Sequence, residues 1–202
     1  ARDGKVRKIQ GGVAPIFELG LPELLKKHVQ RNLFATNDLR QAMLDSEITL
    51  VAVGTPFKGT EIDLTYVKEA ARQAGEILGQ KSGFHVVAVK STVVPGTTDD
   101  VVTPILERHS GKKAGKDFGV GMNPEFLTEG QAVADFMAPD RIVLGASDER
   151  TLALLQELYA SFDGVPLVKT NNKTAEMIKY ASNSMLATQI SFANELAGLC
   201  SA

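Results

Sequence analysis

Residues 86–107, VVAVKSTVVPGTTDDVVTPILE, decide the fold class. Val86 to Val89 are apolar in succession, with no polar alternation, which reads as a strand covered on both faces. A turn rich in Ser, Thr, Pro and Gly follows, and apolar residues then recur at helical spacing over 98–107. Thr97 or Thr98 is placed to cap that helix, with Asp99 and Asp100 complementing its dipole in the first turn. Strand, turn and helix in that order form the repeating unit of a sheet joined by crossover helices.

The same unit recurs outward along the chain. Strands are expected at 48–53 (ITLVAV), 118–122 (FGVGM), 142–144 (IVL) and 166–168 (PLV), with a further short strand around 33–36. Helical patterns occupy 22–30, 39–44, 64–78 and 149–162, and 5–10 reads as the middle of a charged helix. The expected architecture is α/β, an incomplete doubly wound parallel sheet followed by one long helix from Lys173. Along that helix Ile178, Ala181, Met185, Phe192, Leu196 and Leu199 form an apolar stripe suited to a second domain or a partner subunit.

The 202 residues carry Lys+Arg 22 against Asp+Glu 24, a formal charge of -2, 44% hydrophobic residues and one Cys. That balance offers no basic footprint for nucleic acid, and no apolar run is long enough to cross a membrane. One Cys excludes an internal disulfide, and three His without ligand spacing give no metal site, so a metal-free mechanism in a reducing compartment is expected. Cys200 reads as a buried structural thiol, and His28, His85 and His109 as surface residues. The chain opens on Ala1 and stops inside a helical pattern, so an internal piece of a longer chain is expected.

Ligands of open α/β sheets bind beyond the carboxyl ends of the strands, which directs attention to three segments. Val53-Gly54-Thr55-Pro56 offers backbone access and a hydroxyl, or an ordinary turn. Lys90 to Thr98 brings Ser91 and Thr92 to the strand end, where they contact a ligand and position water, or merely cap a loop. In 123–130, NPEFLTEG, Glu125 and Glu129 flank apolar Phe126 and Leu127, which suits a general base in a partly dry cleft or a helix N-terminus with Glu in its first turn. Lys179 and Asn183 share one helix face and could stabilise an oxyanion, the alternative being a solvated face with a Glu176–Lys179 ion pair.

Together GVAPIFELGLPELL (12–25), VAVGTP (51–56), KSTVVPGTT (90–98), NPEFLTEG (123–130), PDRIVLG (139–145) and the long-helix sequence 175–200 resemble the nucleotide-sugar dehydrogenases. These enzymes oxidise the C6 alcohol of a nucleoside-diphosphate hexose to the acid. The resemblance covers nearly the whole chain, in the family's order. It implies a partial NAD-binding, Rossmann-like domain over 1–172 and the start of a central connecting or dimerisation helix over 173–202. The family's GxGYVG segment and its catalytic-cysteine segment have no counterpart here, and Cys200 matches a helix position of the family.

Carried over by residue, the resemblance implies an NAD site of Lys5, Val53, Thr55, Ser91, Thr92 and Glu129. It implies substrate contacts from Glu125, Phe126, Leu127, Glu129, Lys179 and Asn183, and catalytic roles for Thr92, Glu125, Lys179 and Asn183. Two hydride transfers would convert the alcohol through an aldehyde, captured as a thiohemiacetal by the family's cysteine, to a thioester that water hydrolyses. The residues present would manage oxyanions, protons and water, and these 202 residues by themselves are expected not to turn over. UDP-glucose is the first substrate expectation, with GDP-mannose and UDP-N-acetylhexosamines behind it. A 3-hydroxyacid or 6-phosphogluconate-type dehydrogenase and a non-catalytic dimerisation scaffold are the competing readings. A cytoplasmic homodimer or higher homo-oligomer, joined through the long helix, completes the expectation.

Overall fold

The computed structural model describes residues 2–201. In chain order the elements are α1 (Arg2–Gln10), α2 (Leu21–His28), α3 (Leu39–Leu44), β1 (Ile48–Val51), β2 (Phe57–Lys58), β3 (Glu61–Ile62), α4 (Thr65–Leu78), β4 (Val86–Val89), a π-helical turn (Thr98–Val102) running into α5 (Thr103–Ser110), β5 (Gly119–Met122), α6 (Ala132–Met137), β6 (Ile142–Ala146), α7 (Glu149–Leu158), β7 (Leu167–Thr170) and α8 (Asn172–Cys200). The main sheet has the order β1-β4-β5-β6-β7, and β2 pairs with β3 in a separate small hairpin.

β1, β4 and β5 are parallel, in register Val51↔Val89↔Met122. β6 then pairs with β5 antiparallel, through Gly121↔Ala146 and Met122↔Gly145, and β7 follows β6 in parallel. The α/β class is therefore as expected, with one antiparallel join inside the sheet. The connection over 123–141 contains only the six-residue α6 and stays at the edge where β5 ends. A parallel crossover has to return along the full length of the sheet, so β6 instead comes back antiparallel, its last two residues pairing with the last two of β5.

The uniform apolarity of β4 has a direct cause: all four of its residues are buried. Val87 and Val89 pack on one side with Met43, Val67, Leu78, Leu106, Val120 and Ala175. Val86 and Ala88 pack on the other with Ile142, Leu144 and Leu155 of the second layer. Each fully buried Val or Leu contributes about 1.5–3 kcal/mol of transfer free energy, so β4 anchors both layers. α7 is capped by Asp148, which accepts from Thr151 N at 2.8 Å, and α8 by Asn171, which accepts from Thr174 N at 2.8 Å.

Glycine admits both helices to the sheet. A Cβ at Gly121 would lie 2.6 Å from Leu155 Cδ1 of α7, and one at Gly145 would lie 2.8 Å from Ala175 Cβ of α8. α8 thus crosses the sheet at van der Waals contact and rises toward the edge where β1, β4 and β5 end. Beyond Ser182 every described position of α8 is exposed, with Met185, Ile190, Phe192, Leu196 and Leu199 uncovered.

Several expectations are corrected. Residues 33–36 form no strand, only a bridge between Val29 and Leu33. β1 stops at Val51 and α7 at Leu158, short of the expected ends. His85 is fully buried, its ring between Thr49 Oγ1 at 2.8 Å and Ser46 O at 3.0 Å. Burial, with Lys81 nearby, lowers its pKa to about 4. Cys200 is exposed, because the end of α8 packs against no described residue.

Candidate active site

Three strand exits and one helix converge at the carboxyl edge of the parallel strands. Asn123, the first residue past β5, is buried and ties the exits together: its N–H donates to Val89 O at 2.8 Å and its side-chain amide to Val143 O at 3.1 Å. Its Oδ1 accepts from the Tyr159 hydroxyl at 2.5 Å and from Lys90 Nζ at 3.2 Å. With Asn123 and its neighbour Pro124 fixed, the chain turns so that Glu125 faces α8.

Glu125 is oriented through both oxygens. Oε2 accepts from Leu127 N at 2.8 Å, and Oε1 pairs with Lys179 Nζ at 3.3 Å. The Lys179 side chain is only 8% exposed and the Glu125 side chain 33%, so the pair sits at the mouth of a cleft with its cation end buried. Lys179 Nζ also lies 5.2 Å from the Phe126 ring centre, and Arg141 covers that ring at 4.4 Å. Arg141 reaches Ser182 Oγ on α8 at 3.4 Å. The expected Glu176–Lys179 ion pair does not form: Lys179 pairs with Glu125, while Glu176 is buried against the turn that follows Thr92.

The β4 exit is braced from β1. Ser91 Oγ donates to Val53 O at 2.7 Å and accepts from Val53 N at 2.8 Å, so this hydroxyl is engaged with the β1 exit. Thr55 Oγ1 donates to Thr92 O at 2.8 Å. The half-buried Thr92 hydroxyl has no partner among the described residues and is free for a ligand or water. Burial lowers the pKa of Lys90, with Glu125 opposing that shift and Lys179 adding to it.

The structure brings Thr92, Glu125, Phe126 and Lys179 to one edge, with Val53 and Thr55 alongside. Asn183 lies one turn beyond Lys179, exposed, its side chain without a hydrogen bond among the described residues. Leu127 and Glu129 are exposed on the loop past Glu125. Lys5 is exposed on α1, and no contact joins it to the cluster among the described residues.

Sequence reasoning missed the groups that hold the loops. Glu18 is buried and accepts from Gly130 N at 3.0 Å and Ala132 N at 3.1 Å, capping α6 from 112 and 114 residues away. Asp135 accepts from Thr128 N at 2.7 Å. Beside the loop, Lys90, Asn123, Glu125, Phe126, Arg141 and Tyr159 help line a cavity of about 200 Å³. Asn-Pro at a strand exit was a usable local signal for Asn123; for Glu18 there was none.

Residues 1–163 match the NAD binding domain of the UDP-glucose/GDP-mannose dehydrogenase family, and residues 173–202 match the central domain of the same family. A UDP-glucose 6-dehydrogenase of Haloferax volcanii is 46% identical over 96% of this chain and 46% of its own length. A GDP-mannose 6-dehydrogenase of Pseudomonas aeruginosa is 43% identical over 98% of this chain and 46% of its own. The solved ternary complex of the GDP-mannose dehydrogenase from Pseudomonas aeruginosa superposes with a TM-score of 0.91 at 43% identity, over 95% of this chain and 44% of that one. The chain thus spans just under half the length of the curated relatives it matches.

Proposed function

The chain belongs to the UDP-glucose/GDP-mannose dehydrogenase family, and on that premise we propose that it supplies the NAD site and the catalytic groups Thr92, Glu125, Lys179 and Asn183 of an enzyme oxidising the C6 alcohol of a nucleotide-activated hexose. The observation that carries this reading is the Glu125–Lys179 pair, 3.3 Å apart, at the same sheet edge as the β4 exit with its unpartnered Thr92 hydroxyl.

The β1 and β4 exits fit a dinucleotide. Gly54 faces open space, Thr55 is pinned in place, and Thr92 offers its hydroxyl. Val53, Thr55, Thr92 and Glu129 would hold NAD, with Lys5 at the adenosine end, and Ser91 would act by fixing Val53. Bound NAD supplies the hydride acceptor.

Lys179 and Asn183 would bind the oxygen on C6, one through a buried ammonium and the other through a neutral amide donor. Donors of this kind are worth about 3–4 kcal/mol each when charge develops on the oxygen. Glu125, anchored by the Leu127 amide, would take the alcohol proton directly or through a water held by Thr92. Phe126 and Leu127 would form the apolar wall against the sugar. UDP-glucose is the first substrate reading and GDP-mannose the second, since relatives of both kinds match at 46% and 43% identity.

Within this proposal 1–172 serve as the dinucleotide domain and α8 opens the central domain. The uncovered apolar stripe of α8 supports assembly with a second copy through that helix. No described helix is long and apolar enough to cross a membrane; cytoplasmic residence is part of the proposal because both reactants are cytoplasmic metabolites.

The test is NADH absorbance with UDP-glucose, GDP-mannose or a UDP-N-acetylhexosamine, using the full product of the coding sequence with the 202-residue chain beside it. Lys179→Met and Glu125→Gln should each lower turnover at least about a hundredfold. Turnover unaffected by both changes would refute the reading.

A further inference from the structure

Glu176 is a carboxylate with no exposed surface and no ion-pair partner among the described residues, yet none of the proposed chemistry uses it. Its Oε2 accepts from Gly96 N at 2.5 Å, and its Oε1 accepts from Thr98 N and Thr98 Oγ1, both at 2.7 Å. These donors open the π-helical turn that follows Thr92, where side-chain capping by Thr97 or Thr98 was anticipated. The cap comes instead from α8, 78 to 80 residues away. Lys179 lies three residues further along the same helix and Thr92 four residues before Gly96.

We propose that Glu176 is the positioning residue that sets Lys179 against Thr92, by clamping α8 to the chain leaving the β4 exit. The inference rests on the dehydrogenase reading for its consequence. Its geometry is specific to a carboxylate, because both oxygens face donors. Glutamine would turn an NH2 toward the Gly96 or the Thr98 donors, and aspartate, one methylene shorter, would not reach both. Gly96 at φ +97° holds the turn in a conformation that side chains rarely adopt, and a Cβ there would meet Asp100 Oδ2 at 2.8 Å. Glycine at 96 therefore lets the turn present its N–H groups to Glu176, and a change at Glu176 alters how this turn meets α8. Around the clamp, Asp99 accepts from Asn172 Nδ2 at 2.8 Å and Asp100 pairs with Lys173 at 3.2 Å, contacts a glutamine at 176 leaves in place.

Two readouts separate positioning from mere stabilisation. In the full coding-sequence product, well below its melting temperature, Glu176→Gln should lower kcat about tenfold to a hundredfold with KM for the nucleotide sugar within about twofold. In the 202-residue chain, the NMR signals of the Lys179 side chain should move in Glu176→Gln, reporting a changed approach to Glu125. Thr98→Val, which removes one donor and leaves both amides, should produce a smaller loss in the same sense, and the double variant should fall short of the sum. A lowered melting temperature with kcat and the Lys179 signals unchanged would overturn the proposal, as would full activity in Thr98→Val should the glutamine variant not fold. If Lys179→Met and Glu125→Gln leave turnover intact, the dehydrogenase reading itself falls, whereas their loss of activity beside an unaffected Glu176→Gln removes only this inference.

Discussion

Gly145→Ala is the sharpest test of how the fold places Lys179. A Cβ at Gly145 would lie 2.8 Å from Ala175 Cβ and 3.0 Å from both Asn171 O and Asn172 Cα. None of these atoms belongs to a flexible side-chain end; two are backbone and the third is a Cβ fixed to it. Relief therefore requires the first turn of α8 to move away from β6 by about half an ångström or more. Overpacking of this kind costs about 1–3 kcal/mol, offset by at most about 1 kcal/mol from replacing glycine in a strand. A net loss of about 1–2 kcal/mol is expected, read as a lower urea midpoint at unchanged m. Gly83→Ala is the control, since nothing lies within 4 Å of a Cβ there, and it should stay within about 0.5 kcal/mol of the parent. Because the same turn leads to Glu176 and Lys179, Gly145→Ala should also weaken catalysis by the full coding-sequence product. Stability equal to that of Gly83→Ala would refute the close-contact argument.

Three further outcomes are expected. His85 has a folded pKa of about 4 against an ordinary 6.5, so above pH 6.5 it is neutral in both states. Between about 6.5 and 4 the unfolded chain binds the proton and the folded chain does not, so up to about 3 kcal/mol of stability is lost as pH falls. Urea titrations at pH 7 and 4.5 should show a clearly shallower acid loss in His85→Gln, and parallel losses would refute the assignment. Glu176 has its pKa raised by burial and contributes in the opposite sense, so the parent–variant difference is the quantity to read. Glu18→Ala strips two backbone N–H groups of their acceptor and should cost about 1–3 kcal/mol, with faster protease cleavage within 124–132; unchanged cleavage would refute the clamp. Finally, removing the Glu125 charge with Glu125→Gln should lower the pKa of Lys90 further, measured by its side-chain NMR signals, because Glu125 opposes the downward shift that burial imposes; no movement would show that the two groups are uncoupled.

What could be read from the sequence was what local spacing encodes. Val86 to Val89 are apolar because both faces of β4 are covered, and Lys179 and Asn183 share a helix face because they are four residues apart. The β2–β3 hairpin escaped because two-residue strands carry no period. The reversal at β6 escaped because strand direction depends on where the 123–141 connection travels, not on β6 itself. His85 reads as polar and exposed until Thr49 and Ser46, 36 and 39 residues away, are seen to satisfy its ring. The expected Glu176–Lys179 pair failed for the same reason: each side chain has a stronger partner far away in sequence.

These long-range partners share a physical logic. Strand exits at the edge of a sheet leave backbone N–H groups that neither helix nor ladder satisfies, and burying one unpaired costs about 1–3 kcal/mol. Here carboxylates distant in sequence take them up: Glu176 those of Gly96 and Thr98, and Glu18 those of Gly130 and Ala132. Each carboxyl group takes donors on both of its oxygens, so each cap stiffens its loop. Glu18 and Glu176 fix the far ends of the loops carrying Glu125 and Thr92, and neither lies on the loop it holds. On the proposed function, Glu125, Thr92 and Lys179 would thus keep their mutual geometry before any ligand arrives, as electrostatic stabilisation of a developing oxyanion demands, because donors that must reorganise during the reaction lose most of their worth. The caps should therefore act mainly on kcat, while substitutions at the exposed Leu127 and Glu129 should act mainly on KM. Glu18→Ala and Leu127→Ala, assayed side by side, would decide it, and an equal shift of both parameters in both variants would sink the distinction.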